Sequence, residues 1–264
     1  MRRFIKHVKR IFLILFKYII LDIIRENEII FRKDEIVKKS QNKNVLDLGF
    51  VQHSHWKSKV NENVWLHSKI KKKASNLVGI DYLKSEIDEL RTKGYDCYAG
   101  DVMNLDRLNL KRKFDLIICG ELLEHVENPG LMLEGIKRFM KEDARLIITT
   151  PNVMGFKLLH YMNENVVERS WLNFEHVAYY SYETLKNLIE RSGFKKVKYD
   201  FYFGDSLEID KKIKNYRLVY RINRLILNTL LKDKLKKIFN FLKQISINYQ
   251  KYHFHGLFFI IEKK

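Results

Sequence analysis

NVLDLG (residues 44–49) is a short apolar run that ends in an acid and a glycine, and NLVGID (76–81) repeats that form and closes on Asp81. Residues 58–74 between them carry a helical pattern, so the two runs read as parallel strands joined by a helical crossover. The alternation continues outward. YDCYAGD (95–101), FDLIICG (114–120) and RLIITTPN (145–152) are the next strands, with helices predicted at about 84–93 and 129–140. SYETLKNLIERSGF (181–194) opens on a capping serine and ends near a glycine, the punctuation of one further helix. Strands at about 196–203 and 256–261 bring the count to seven. The pattern predicts an α/β fold built on a mostly parallel sheet.

Asp47, Asp81 and Asp101 fall at the carboxyl ends of three successive strands. Ligands of open α/β sheets bind in the crevice beyond those ends. One such acid alone is usually a turn or helix-cap residue, but three together point to an adenosine-type ligand. A carboxylate at Asp81 can accept from both ribose hydroxyls.

These segments resemble the class I S-adenosylmethionine-dependent methyltransferases, in particular the group related to ubiquinone-pathway and glycan O-methyltransferases. The resemblance spans about residues 44–203 and rests on VLDLG, VGID, AGDV, FDLIICGELLEHVENPGLMLEGIKRFM, RLIITTPN and HVAYYSYETLKNLIERSGF, in that order. It implies a Rossmann-like, seven-stranded, mostly parallel sheet with helices on both faces. It also implies S-adenosylmethionine as cofactor, with Asp47 and Gly49 under its methionine part, Asp81 on the ribose, Asp101 and Val102 flanking the adenine, and Gly120 and Glu121 closing the site. One departure stands out. The family pattern D-x-G-x-G-x-G is here Asp47-Leu48-Gly49-Phe50-Val51-Gln52-His53, which keeps only the first glycine, so the loop must widen or take another path. The same absence argues against a dinucleotide-dependent dehydrogenase, which needs G-x-G-x-x-G at the helix start. A degenerate, non-binding relative of the fold remains the alternative.

Methyl transfer requires an acceptor to be positioned and usually deprotonated. The candidates are Glu121, Glu124 and His125, whose spacing puts them on one side of a helical turn, and His176 in Phe174-Glu175-His176. Glu121, Glu124, His125 and His176 resemble the Glu-x-x-Glu-His plus distal His magnesium site of small-RNA 2′-O-methyltransferases, which implies Mg²⁺ or Mn²⁺. In the metal-free alternative His125 or His176 acts as general base, with Glu121 beside it. In a third reading Glu124 and His125 form a solvated helical turn.

Net charge is +18, and it is unevenly placed. Residues 1–39 hold 11 Lys/Arg against five acids and residues 205–251 hold 12 against four, whereas the segment 40–204 is nearly balanced at 25 against 22. The core is therefore predicted at 40–204, completed by a last strand in 252–264, with an N-terminal segment (1–39) and a helical insertion or cap (205–251) that carry the charge. Residues 2–23 place Arg2, Arg3, Lys6, Lys9, Arg10 and Lys17 along one arc of a helix and mostly apolar residues outside it. The apolar stretch 11–24 is broken by Lys17 and Asp22 and is too short for a span of roughly 20 residues. No small-residue cleavage site follows it. It reads either as an in-plane membrane anchor or as a helix packed on its own domain. The cap reads as two basic helices, about 211–231 and 234–249, standing over the acceptor side.

Two cysteines, Cys97 and Cys119, give no disulfide framework and suit a reducing compartment. Two prolines and 46% hydrophobic residues exclude collagen-like, Pro-rich and disordered classes. The H-x-H pairs His53/His55 and His253/His255 lack partner ligands at set spacing and read as polar loop or strand residues. Trp56, Trp65, Trp171, Tyr179 and Tyr180 either line an acceptor pocket or pack the core.

The expectation is an S-adenosylmethionine-dependent O-methyltransferase that is cytoplasmic and peripheral on the inner membrane face. It would act on a small-molecule, glycan or lipid-linked acceptor and meet an anionic membrane surface. An RNA methyltransferase, whose basic flanks would hold phosphates, and a non-catalytic membrane-associated scaffold are the competing readings.

Overall fold

The computed structural model describes residues 30–51, 56–61, 64–153, 175–204 and 256–264. The N-terminal amphipathic helix, the 205–251 cap, both H-x-H pairs, Phe174 and Trp171 lie outside the described residues.

The strands are β1 (Ile30–Phe31), β2 (Asn44–Leu48), β3 (Asn76–Asp81), β4 (Cys97–Ala99), β5 (Phe114–Gly120), β6 (Met140–Pro151), β7 (Phe194–Gly204) and β8 (Gly256–Lys263). They form one sheet in the order β1-β7-β8-β6-β5-β2-β3-β4, in which β8 alone runs antiparallel to its neighbours. The seven expected strands are present, and the two-residue β1 adds an eighth on the edge of β7. Among the described residues the α helices are α1 (Arg32–Lys39), α2 (Trp56–Asn61), α3 (Leu66–Lys71), α4 (Lys84–Thr92), α5 (Pro129–Lys137) and α6 (Tyr182–Arg191).

Alternation along each strand feeds two faces. Leu46, Leu48, Ile117, Leu146 and Ile148 pack with Met132, Leu133 and Ile136 of α5 and with Leu185 and Ile189 of α6. Val45, Leu116, Ile118 and Ile147 pack with Ile36 of α1 and with Leu66 and Ile70 of α3. Burial on both faces is why these strands read as near-continuous apolar runs. Cys97 and Cys119 are buried and free within this core, where burial pushes the Cys97 thiol up to about 11 and the Cys119 thiol higher still.

Four local readings are corrected. The predicted 58–74 helix is two, α2 and α3, because Trp65 takes an extended conformation (φ −70°, ψ 121°). The 129–140 helix stops at Lys137, because Phe139 and Met140 join β5 through the Phe139 carbonyl and the Phe114↔Met140 register. The first strand residue after that helix is therefore Met140 and not Arg145. Residues 30–39 belong to the core: β1 pairs with β7, and Ile36 is fully buried. Asn42 and Gly94, both at positive φ, turn the chain between α1 and β2 and between α4 and β4.

Candidate active site

A cavity of about 770 Å³ opens at the carboxyl ends of β2–β5. β2 lies between β3 and β5: the chain winds outward from β2 through β3 and β4 and then crosses back to β5, so the strand order reverses beside β2, the place where such sheets bind ligands. Gly49, Asp81, Asp101, Val102, Gly120 and Glu121 all line this cavity, as the resemblance implied.

Each lining residue is held by its strand end. Asp81 is 4% exposed, and its carboxylate accepts the Val51 N–H at 3.0 Å and the Leu83 N–H at 3.2 Å. Burial raises its pKa, and the backbone donors of Val51, Leu83 and Tyr82 oppose that rise. Asp101 caps a 3-10 turn by accepting from the Met103 N–H at 2.8 Å and from Asn104 Nδ2 at 2.7 Å. Gly49 sits at φ +66°, and a Cβ there would lie 2.8 Å from Leu122 Cδ1. That bare backbone forms part of the cavity wall.

Asp47 departs from expectation. It does not line the cavity: it is 4% exposed and its carboxylate accepts from His67 Nδ1 at 2.8 Å. The cause is depth along the strand: Asp47 faces α3 like Val45 and pairs with Gly79 in the β2–β3 register, two residues short of the level of Asp81. Of the two residues that replace loop glycines, His53 lies outside the described residues and Val51 turns inward together with its neighbour Phe50. Phe50 and Val51 are buried with Trp56, Trp65, Ile87, Leu90 and Cys97. Trp56 and Trp65 thus belong to the core, as does Tyr180.

Glu124, His125 and His176 are brought together, with their ligand atoms all within 4.8 Å of one another. Leu123–His125 forms a 3-10 turn, and the Glu124 carbonyl accepts from the Val177 N–H (2.8 Å) and the Ala178 N–H (3.2 Å), which draws the 175–178 segment onto it. The His125 and His176 rings meet edge to face with centroids 4.7 Å apart. His125 Nδ1 lies 3.1 Å from the Glu175 carbonyl. His176 Nδ1 is buried with no hydrogen-bond partner among the described residues, and burial followed by His125 lowers its pKa. Glu124 is 2% exposed and accepts from Thr150 Oγ1 at 2.9 Å; burial, then the Glu121 charge, raises its pKa to about 8.

Glu121 is not in this group. It precedes the turn at φ +53°, a left-handed conformation uncommon for a non-glycine residue, and this swings its side chain the other way. Its Oε2 accepts from Tyr202 Oη at 2.9 Å, and its Oε1 is buried with no hydrogen-bond partner among the described residues. Tyr202 reaches Glu121 across β8 because Gly256 leaves room: a Cβ there would lie 2.0 Å from the Tyr202 ring.

The family model described as a methyltransferase domain matches residues 22–199. The chain belongs to this methyltransferase family. An S-adenosylmethionine-dependent methyltransferase from Archaeoglobus fulgidus superposes with a TM-score of 0.52 at 17% identity, covering 88% of this chain and 94% of that one, which shows the shared fold. A second from Mesorhizobium loti gives a TM-score of 0.46 at 14% identity over 86% of this chain and 95% of that one. The ubiquinone biosynthesis O-methyltransferase of Glaesserella parasuis serovar 5 is 50% identical over 40 residues, which are 15% of this chain and only 17% of that relative's length.

The protein is thus an S-adenosylmethionine-dependent methyltransferase of class I, and its cavity fits the cofactor. The bare backbone of Gly49, where a Cβ would collide with Leu122, and the buried carboxylate of Asp81 line the same space. The cofactor supplies a methyl group on a sulfonium, so the chain's task is to orient an acceptor toward it.

The sequence reading missed three groups. Arg32 and Lys33 of α1, 4% and 5% exposed, line the cavity, and a Cβ at Gly120 would lie 3.4 Å from Arg32 Nη1. Tyr202 and His67 are the others. Arg32 and Lys33 were hidden by their place in a basic flank; only the β-to-α join at 31–32 puts them beside β5.

Proposed function

We propose that this methyltransferase acts on a hydroxyl of a cell-surface glycan or its lipid-linked precursor, at the cytoplasmic face of the membrane. The observation that supports O-methylation is the His125–His176 pair beside the cavity, 4.7 Å apart, with His176 depressed toward the neutral form that can take a proton. The basic flanks 1–39 and 205–251 support a negatively charged partner such as a lipid headgroup surface.

A divalent ion is the second reading of the same cluster. Two imidazoles and the Glu124 carboxyl group suit Mg²⁺ or Mn²⁺ incompletely, since hard cations favour oxygen ligands. Bound there, the ion would orient the acceptor oxygen and lower its pKa.

The test uses the full chain, cofactor labelled on its methyl group, and two acceptor pools: lipid-linked glycan extract and total RNA. Label in the glycan pool is expected, and label confined to RNA overturns the acceptor class. Loss of transfer in EDTA with recovery in Mg²⁺ or Mn²⁺ selects the metal form, and indifference to EDTA selects the free imidazole base. Removal of residues 1–24 is expected to release the protein from anionic liposomes while leaving cofactor affinity unchanged.

A further inference from the structure

The peptide group between Phe50 and Val51 is held at both ends. Its carbonyl accepts the Trp65 indole N–H at 3.0 Å, and its N–H donates to Asp81 Oδ2 at 3.0 Å. Both bonds are buried, with Trp65 1% and Val51 0% exposed. We propose that Trp65 is a positioning residue for the cofactor: by fixing the plane of the 50–51 peptide it sets the orientation of the Asp81 carboxylate. It thereby does the work that backbone freedom at glycines does in the usual form of this loop.

The surroundings leave that peptide little choice. Gly49 supplies a left-handed step, at φ +66°, and residues 50–53 hold no further glycine. The Phe50 ring is pressed over Gly79 of β3, where a Cβ would lie 2.5 Å from Phe50 Cε1. It also meets His67 at 4.2 Å and Trp65 at 6.0 Å between ring centroids. His67 in turn holds α3 to Asp47, the residue two before Gly49, at 2.8 Å. Helix α3 is therefore fastened to the loop on both sides of Gly49.

A carboxylate rotamer that is set through a peptide plane depends on that plane. Without the indole donor the Phe50 carbonyl is a buried acceptor lacking its partner, and rotation of the peptide to find another removes the N–H from Asp81. Ligands that engage Asp81 then bind a minority orientation and lose affinity in proportion.

The test is a double-mutant cycle read by calorimetry with S-adenosylhomocysteine, using Trp65→Phe, Asp81→Asn and the pair. Trp65→Phe keeps an aromatic ring and removes the donor. About a tenfold loss of affinity is expected in the wild-type background, the scale of one hydrogen bond. Less than threefold is expected in the Asp81→Asn background, where the carboxylate it orients is gone. In turnover assays the loss should fall on KM for S-adenosylmethionine with kcat unchanged. An equal loss in both backgrounds, or no loss in either, overturns the proposal. If Trp65→Phe fails to fold by circular dichroism, His67→Asn, which detaches α3 from Asp47, is measured instead. A folded His67→Asn variant with unaltered affinity refutes the proposal, and a several-fold loss of affinity upholds it.

Discussion

Replacing Asp81 by Asn tests the cofactor site most directly. Asp81 is 4% exposed, accepts two backbone N–H groups, and faces the cavity. Deleting the side chain would strip both amides of their acceptor, so loss of binding in Asp81→Ala could not be separated from collapse of the loop. Asn keeps the shape and one acceptor oxygen. It gives up the charge that makes hydrogen bonds to hydroxyls strong, about 1.5–3 kcal/mol for a charged partner. At about 1.4 kcal/mol per tenfold, affinity for S-adenosylhomocysteine should fall roughly 10- to 150-fold. Stability changes less. One amide loses a partner, but the cost of burying a charge, which holds the Asp81 pKa up, is relieved. Calorimetry gives the affinity and a thermal melt gives the stability on the same samples. An affinity within threefold of wild type, in a folded variant, would falsify the placement of the cofactor over Asp81. The raised pKa adds a direction: wild-type affinity should weaken on acidification at a pH above the ordinary aspartate value of 3.8.

His125→Ala and His176→Ala should each lower turnover by about 10²–10⁴-fold, with S-adenosylhomocysteine affinity nearly unchanged; a drop in affinity matching that in turnover would count against a base. Because burial and His125 depress His176, the acid limb of the rate profile should lie below 6.5, and a limb above 6.5 would exclude His176 as the group that takes the proton. For Glu124 the folded pKa of about 8 exceeds the ordinary 4.5, so its contribution to stability is complete below about 4.5 and is lost as pH rises toward 8. In metal-free buffer Glu124→Gln should therefore flatten the decline in thermal midpoint from pH 5 to 9, and a parallel decline in the variant would contradict the assignment. Gly256→Ala must displace the Tyr202 ring, and it should destabilise the domain by about 1–3 kcal/mol in denaturant titration; no loss would mean that the ring moves freely.

What could be read in the sequence followed from local chemistry. The strands VLDLG and VGID declared themselves by apolar runs ended by an acid, and Asp81, Asp101 and Gly49 stand where that ending put them. Asp47 looked equivalent to Asp81, but the register sets it two residues deeper, opposite Gly79, where its partner is His67 of a helix. Glu121 looked equivalent to Glu124 by helical spacing, yet a left-handed backbone at φ +53° separates them, and no pattern in GELLEH announces that. His125 and His176 met as expected only because the Glu124 carbonyl gathers the 177 and 178 amides, a contact between residues some fifty positions apart. Arg32, Tyr202 and Gly256 were illegible for a related reason. Each matters through a neighbour supplied by a distant strand.

The place of β8 bears on how the chain is made. It pairs with β6 on one side and β7 on the other, although both precede it. While the protein is being synthesised, β6 and β7 are finished strands with open edges, and apolar side chains such as Ile148 and Phe201 wait beside a gap in the sheet. Non-local closure of this kind is slow, and open edges invite pairing with other chains. A nascent chain stopped within 205–255 is therefore not a weaker enzyme but two half-sheets with sticky rims, and its fate rests with chaperones and proteases.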